Sequence, residues 1–191
     1  TEKAKKIIEK YSIDINSINK KGVITEKDLL PLINEKEDDP FLDIEEYPSK
    51  IKKILIIGGS FGAHQVIDIL DDYEDVRVVG IIDDDKGKHG KIILGNKIIG
   101  STDKIQDLFE SNYFSHAIIA IGGNVVVRKT LYEKCLSLKI PMVNAIDKSC
   151  TIRKNVIIGK GNVINGNTYI GAFTVIGDNN FLSANTSIDH H

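Results

Sequence analysis

Eight apolar residues, Ile146, Ile152, Ile158, Ile164, Ile170, Ile176, Leu182 and Ile188, recur at a strict six-residue interval. Small or turn-forming residues follow most of them, as in IGKGNV, INGNTY and IGAFTV. A six-residue period fits neither an α-helix nor a simple alternating strand. It fits a triangular solenoid, with one short strand on each face and a tight turn at each corner. The anchors then point inward, and stacked coils pair their backbones at about 4.8 Å. Gly159, Gly171, Gly177 and Asn165 are expected to supply turn backbone that larger residues would strain. Solenoids need several stacked units and a cap, because an open end exposes unpaired strand edges. The repeat is therefore expected either to continue in a longer protein or to have its last coil covered by something else.

Upstream, apolar runs alternate with amphipathic ones. Lys53–Gly58 (KILIIG) reads as a buried parallel strand. The loop Gly58-Gly59-Ser60-Phe61-Gly62 follows, then a helix carrying Val66, Ile67, Ile69 and Leu70. A second strand over Val76–Ile82 ends on Asp83-Asp84-Asp85. Further on come a helix from Ile105 to Phe109, a strand His116–Ile121 ending in Gly122-Gly123, and a helix from Val125 to Leu138. This is the order of a small doubly wound parallel sheet, a Rossmann-like α/β domain whose ligands sit at the carboxyl ends of its strands. The glycine loop lacks the full dinucleotide spacing and by itself is only a tight strand-to-helix turn. Asp83, 21 residues beyond Gly62, stands where an acid can hydrogen-bond a ribose or a base edge. Asp84 stands beside it, and helix N-terminal amides behind Gly58, Gly59, Ser60 and Gly62 would meet a pyrophosphate. Arg128, six residues after Gly122, reads either as a phosphate counter-charge or as part of a solvated helix face.

Composition narrows the classes. With 41% hydrophobic and 27% charged residues and a net charge of -2, the chain reads as a globular protein without the basic footprint of a nucleic-acid binder. It has no apolar run long enough for a membrane span and no signal-peptide pattern, so a cytoplasmic location is expected. Cys135 and Cys150 are too few for a disulfide framework or a metal knuckle; they read as small buried residues, and no metal is expected. His64, His89 and His116 carry no assigned role.

The hexad pattern resembles the hexapeptide-repeat acyltransferases, whose coils are left-handed, an exception to the usual crossover chirality. From Lys52 to His191 the order is GGSFG (58–62), VGIIDD (79–84), AIGGNVVVR (120–128), hexads and SIDHH (187–191). That order resembles the family of sialic acid O-acetyltransferases and nucleotide-linked amino-sugar N-acetyltransferases. The resemblance implies a nucleotide-linked sugar held by Gly58, Gly59, Ser60, Gly62, Asp83, Asp84, Gly122 and Arg128. It implies acetyl-CoA as acyl donor, bound along the solenoid of a homotrimer, and His190 as the catalytic histidine. Histidine, with a pKa near 6.5, suits a base that takes the acceptor's proton. Asp189 matches the acid before it, but neighbouring strand residues point to opposite faces, so it is not expected to orient the His190 ring. A family histidine in the glycine loop is replaced by Gly62, and a His-Pro before the solenoid by Asp147-Lys148. A terminal His190-His191 pair is also what an affinity tag would leave; the hexad register of Ile188 favours the native reading.

The first residues form a separate module. Residues 1–34 carry a short helix with Ala4, Ile7, Ile8 and Tyr11 on one face, then a capping signal at Thr25–Asp28 before Leu29, Leu30, Leu32 and Ile33. The order resembles the peripheral-subunit-binding domain of 2-oxo acid dehydrogenase acyltransferases, which implies a protein partner for residues 3–33; an appendage without a partner is the alternative. Residues 35–50 are acidic and carry Pro40 and Pro48, as a solvated linker does. The α/β domain is expected over 51–145 and the coils over 146–191. Function then reads as acetylation of the amino group of a nucleotide-linked amino sugar in surface-glycan synthesis. The alternatives are O-acetylation of a sialic-acid-type sugar and a non-catalytic sugar-nucleotide-binding or docking fragment. A nicotinamide oxidoreductase is disfavoured, because the solenoid would then have no purpose.

Overall fold

The computed structural model describes residues 50–189 together with Ile8. The expected helical module over 1–34, nearly all of the acidic linker, and His190 and His191 lie outside the described residues. The chain divides into two units, Thr1–Glu46 and Tyr47–His191.

The second unit opens with β1 (Lys52–Ile57), α1 (Phe61–Asp71) and β2 (Val76–Ile82). It continues through β3 (Ile92–Ile93), β4 (Asn96–Gly100), α2 (Ile105–Glu110), β5 (His116–Ile119) and α3 (Val125–Ser137). The sheet order is β3-β4-β2-β1-β5, parallel except for the β3–β4 hairpin at one edge. That hairpin was not read from the sequence, because Lys91–Gly100 alternates too briefly around its Leu94-Gly95 turn. The apolar run of β1 is continuous because both faces are covered. Ile54 and Ile56 pack with Ala63, Val66, Ile67 and Leu70 of α1. Leu55 and Ile57 pack with Ile105 and Leu108 of α2 and Leu131 and Cys135 of α3. Burial pushes the Cys135 thiol up to about 11, so it is an inert core residue. Cys150 is only half-buried.

The coils follow as β6 (Ala145–Ile146), β7 (Thr151–Ile152), β8 (Ile157–Ile158), β9 (Val163–Ile164), β10 (Tyr169–Ile170), β11 (Val175–Ile176), β12 (Phe181–Leu182) and β13 (Ser187–Ile188). They stack as three parallel sheets, β12-β9-β6, β13-β10-β7 and β11-β8. Each pairing joins residues three hexads apart, such as Thr151 with Tyr169 and Tyr169 with Ser187. The anchors are the second residue of every strand. Ile164, Ile170 and Ile176 of the middle coil are buried, while Ile146, Ile158, Leu182 and Ile188 of the flanking coils are only partly so. Ile164 and Ile170, whose strands are paired on both sides, are fully buried, whereas Ile176, paired on one side, is 8% exposed and Ile152, first in its stack, is exposed.

The corners differ from expectation. Positive φ falls on Asn155, Gly161, Asn167, Phe173, Asn179 and Asn185, each three residues after an anchor. Asparagine is, after glycine, the residue that best tolerates this left-handed region. Gly159, Gly171, Gly177 and Asn165 do not adopt it. Gly159 must be small for a different reason: a Cβ there would lie 2.1 Å from Asp178 Oδ1 and 2.7 Å from the Gly177 carbonyl carbon of the next coil. Asn165 donates across the stack to Leu182 O at 2.8 Å. Asn144, Asn162 and Asn180 form a ladder, each lower Oδ1 accepting the backbone N–H of the next, at 2.9 and 2.8 Å. The sheet and coils share a core, since Ala145 and Val163 pack with Ile54 and α1. The Tyr73 hydroxyl also donates to Ile146 O at 2.7 Å. Among the described residues no helix is long and apolar enough to cross a membrane.

Candidate functional site

At the carboxyl ends of β1 and β2 the chain must leave the sheet and enter α1 without blocking the strand ends. Gly58 makes the exit with φ +106°, and Gly62 lets α1 approach β5 so closely that a Cβ there would lie 1.9 Å from Ala120 O. Ser60 is the N-cap of α1, yet its side chain makes no capping bond and the first turn holds no acidic residue. Its hydroxyl instead accepts from Lys88 Nζ at 2.8 Å.

Asp83 organises this loop from the end of β2. Its carboxylate accepts from Gly59 N at 2.7 Å, Asp85 N at 2.9 Å and Lys88 Nζ at 3.0 Å. Partial burial works to raise its pKa, but those N–H donors and the ammonium outweigh it and hold the carboxyl below the usual carboxylate value. His89, which had no assigned role, meets the Asp83 carbonyl through Nε2 at 2.8 Å. Asp84 turns the other way and accepts from Thr102 N at 2.8 Å and Thr102 Oγ1 at 3.1 Å, which caps the turn before α2.

A pocket of about 380 Å³ lies against this loop, lined by Gly59, Ser60, Phe61, His64, Lys88, Lys91, Ile92, Ile93 and Ile98. Phe61 is 89% exposed at its rim. Of the residues singled out from the sequence, the structure brings Gly59 and Ser60 into the lining, with Gly58, Gly62 and Asp83 shaping the loop behind them. Asp84, Gly122 and Arg128 are not in the lining. Phe61, His64, Lys88, Lys91 and the β3–β4 hairpin were missed. The spacing of Lys86, Lys88 and Lys91 directly after three aspartates at a strand end was the available signal. Lys91, the Asp83-paired Lys88 and a helix start without a side-chain cap suit a phosphate-bearing ligand.

The phosphate counter-charge reading of Arg128 is corrected. The side chain is buried, and all five of its N–H groups are committed to backbone carbonyls. Nε donates to Asn179 O (2.8 Å), Nη1 to Ile119 O (2.5 Å) and Ile121 O (3.2 Å), and Nη2 to Gly161 O (2.9 Å) and Asn180 O (3.0 Å). A guanidinium has no sixth donor to offer a phosphate. Burial pulls its pKa down to about 10, which leaves it charged at neutral pH. Gly122 faces the coils, where a Cβ would lie 3.1 Å from the Phe181 ring. His116 is bonded to Ser115 Oγ at 2.9 Å at the start of β5, the opposite end of the strand from the pocket.

An α/β sheet fused to hexad coils is an architecture this chain shares with solved sugar acetyltransferases. Residues 53–135 match the PglD N-terminal domain family. PerB from Caulobacter crescentus, solved in complex with CoA and GDP-perosamine, is 28% identical over 73% of this chain and 64% of that one, with a TM-score of 0.65. A perosamine N-acetyltransferase from the same organism, solved with one histidine replaced by asparagine, matches at 28% identity over the same shares, with a TM-score of 0.66. The acetyltransferase domain of PglB from Neisseria gonorrhoeae FA1090, in complex with acetyl coenzyme A, shares the fold at 22% identity over 73% of this chain and 65% of that one, with a TM-score of 0.60. No curated protein sequence matches this chain. The chain is thus similar to sugar N-acetyltransferases of known structure, and its residues 53–135 are of the PglD N-terminal domain type. It spans 64% of the length of the perosamine-bound relative.

Proposed function

We propose that this chain supplies the nucleotide-sugar domain and opening coils of an acetyl-CoA-dependent enzyme that acetylates the amino group of a nucleotide-linked amino sugar in surface-glycan synthesis. The observation that carries the reading is the pocket beside Gly59 and Ser60, with Lys91 and the Asp83-paired Lys88 in its lining, on a sheet that shares its core with hexad coils. The likeness to a protein solved with CoA and GDP-perosamine supports the same substrate classes. Gly58, Gly59, Ser60 and Gly62 would give the phosphates close backbone approach, and Asp83 would hold the loop in that shape. Asp84 and Gly122 would act on the substrate only through the loops they brace.

His190 would serve as general base. The sugar nitrogen attacks the thioester carbonyl, a C–N bond forms and the C–S bond breaks. The proton lost by nitrogen passes through the imidazole to the departing CoA sulfur. Such a base is typically worth about 10²–10⁴-fold. The histidine substitutions made in the perosamine enzyme support a histidine as the residue to test. Acyl transfer would take place in the cytoplasm on a homotrimer, and residues 3–33 would dock a protein partner.

The test is thiol release from acetyl-CoA by the full-length protein against a panel of nucleotide-linked amino sugars. Acetylation at nitrogen is expected, with His190→Ala lowering kcat by about 10²–10⁴-fold and leaving sugar KM nearly unchanged. No transfer to any amino sugar, or tighter binding of NAD than of every nucleotide sugar, would overturn the reading.

A further inference from the structure

We infer that Arg128 is a positioning residue, which locks two stacked corners of the β-helix to the carboxyl edge of the sheet and so sets the spacing between pocket and coils. The kinetic half of this inference rests on the function proposed above; the docking half does not.

The guanidinium joins carbonyls of two regions. Two belong to the sheet side, Ile119 at the end of β5 and Ile121 just beyond it. Three belong to the coils: Gly161, Asn179 and Asn180. Gly161 and Asn179 are left-handed corners one full coil apart, so a single side chain grips the same edge of two successive coils. The grip is reciprocated, since Asn179 Nδ2 donates to Arg128 O at 3.3 Å. The Phe181 ring lies 5.6 Å from the guanidinium carbon and covers it.

No carboxylate takes part. A buried cation without an anion is costly, and an ordinary helix position would not keep one for packing alone. What guanidinium offers here is geometry: a rigid fork with five donors, which a three-donor lysine ammonium cannot reproduce.

The sheet-side partners lead directly to the pocket. The segment Ala120–Gly122 meets Arg128 on one side and the glycine loop on the other. Ideal Cβ atoms at Gly62 and Gly58 would lie 1.9 Å from Ala120 O and 2.7 Å from the Ile121 side chain. Coil corner, Arg128, the end of β5 and the glycine loop thus form one continuous chain of close contacts. A shift at the corners displaces the acyl-transfer end relative to a sugar held at the loop. Misplacement by about 1 Å can cost a reaction 10²-fold.

Arg128→Lys and Arg128→Gln in the full-length protein test this with two readouts. In hydrogen exchange, the amides of Asn162, Val163 and Asn180 are expected to exchange about 10-fold faster or more, while Ile54–Ile57 stay protected. In turnover, kcat is expected to fall about 10²-fold with nucleotide-sugar KM within about twofold. Unchanged exchange in the coils would overturn the inference. So would loss of protection in sheet and coils together, or a rise in KM matching the fall in kcat/KM, since either marks general destabilisation. Local loosening of the coils in a protein whose wild type acetylates nothing would uphold the docking role and sink the acetyltransferase reading.

Discussion

The sheet and the coils are stabilised in opposite ways. In the coils every device is periodic: an inward anchor, a left-handed corner, and ladder bonds such as Asn144–Asn162–Asn180 that repeat three hexads on. Losing one leaves its copies in place. In the sheet domain the organising contacts occur once each: Asp83 on the glycine loop, Asp84 on Thr102, Gly62 under Ala120. The periodic region makes a straight, repetitive surface, while the aperiodic one makes a pocket, because a pocket needs residues that differ from their neighbours. Arg128 belongs to both, an aperiodic side chain bonded to periodic corners.

If that contrast is right, the joint should be the most sensitive point. Arg128→Met leaves carbonyls at Ile119, Ile121, Gly161 and Asn179 without this donor, and each unmet group typically costs about 1–3 kcal/mol. Relief of the buried charge offsets part of this, so a net loss of about 3–5 kcal/mol is expected in urea denaturation. A loss under 1 kcal/mol would mean that the two regions are held together by their shared apolar core alone.

Next comes a single-use contact in the sheet. Gly62→Ala places a methyl 1.9 Å from a backbone oxygen that cannot rotate away. Overpacking of this kind costs about 1–3 kcal/mol, and the upper end is expected here. The pocket should widen, so nucleotide-sugar affinity should fall in calorimetry as well.

Acid sharpens the comparison differently. The folded pKa of Asp83 lies below its unfolded value, so its contribution is complete above about pH 4 and is lost as pH falls through the folded pKa. Asp83→Asn should cost about 1.5–3 kcal/mol at neutral pH, the worth of a hydrogen bond to a charged group. It should also flatten the decline of the melting temperature below pH 4. An unchanged acid profile would show that other carboxylates govern it.

The smallest effect is expected in the coils, with the opposite sign. Phe173 stands at a corner where every other residue is Asn or Gly; its φ is 65°, and its ring is 60% exposed. A left-handed conformation costs a bulky residue about 1–2 kcal/mol. Phe173→Asn should therefore raise stability by about 1 kcal/mol, read as a rise in melting temperature. A loss instead would show that the ring has a partner worth more than its strain.

Much of this was legible in advance. The hexad anchors fixed the number and position of the coil strands, because one residue type must return to one axis at every turn. The apolar runs located β1, β2 and β5, and the glycine loop located the pocket's floor. The corners were misplaced: turn backbone was expected at Gly159, Gly171, Gly177 and Asn165, whereas crowding between coils explains Gly159 and Gly171, and the left-handed positions fall mostly on other Asn residues. Lys88 and Lys91 were passed over because nothing local distinguishes a pocket lysine from a solvated one.

Sequence alone determined the repeat, the order of strands and helices apart from the β3–β4 hairpin, and the residues of the glycine loop, since all of these depend on near neighbours in the chain. Only the tertiary structure decided what each charged side chain does. Asp83, Asp84 and Arg128 sit at similar strand-end and helix positions and look equally suited to a ligand. Their roles diverge because each also meets a partner far along the chain: Thr102 for Asp84, Gly59 for Asp83, and Gly161, Asn179 and Asn180 for Arg128. A guanidinium reads as a phosphate site until three carbonyls of the coils join two from the sheet edge around it.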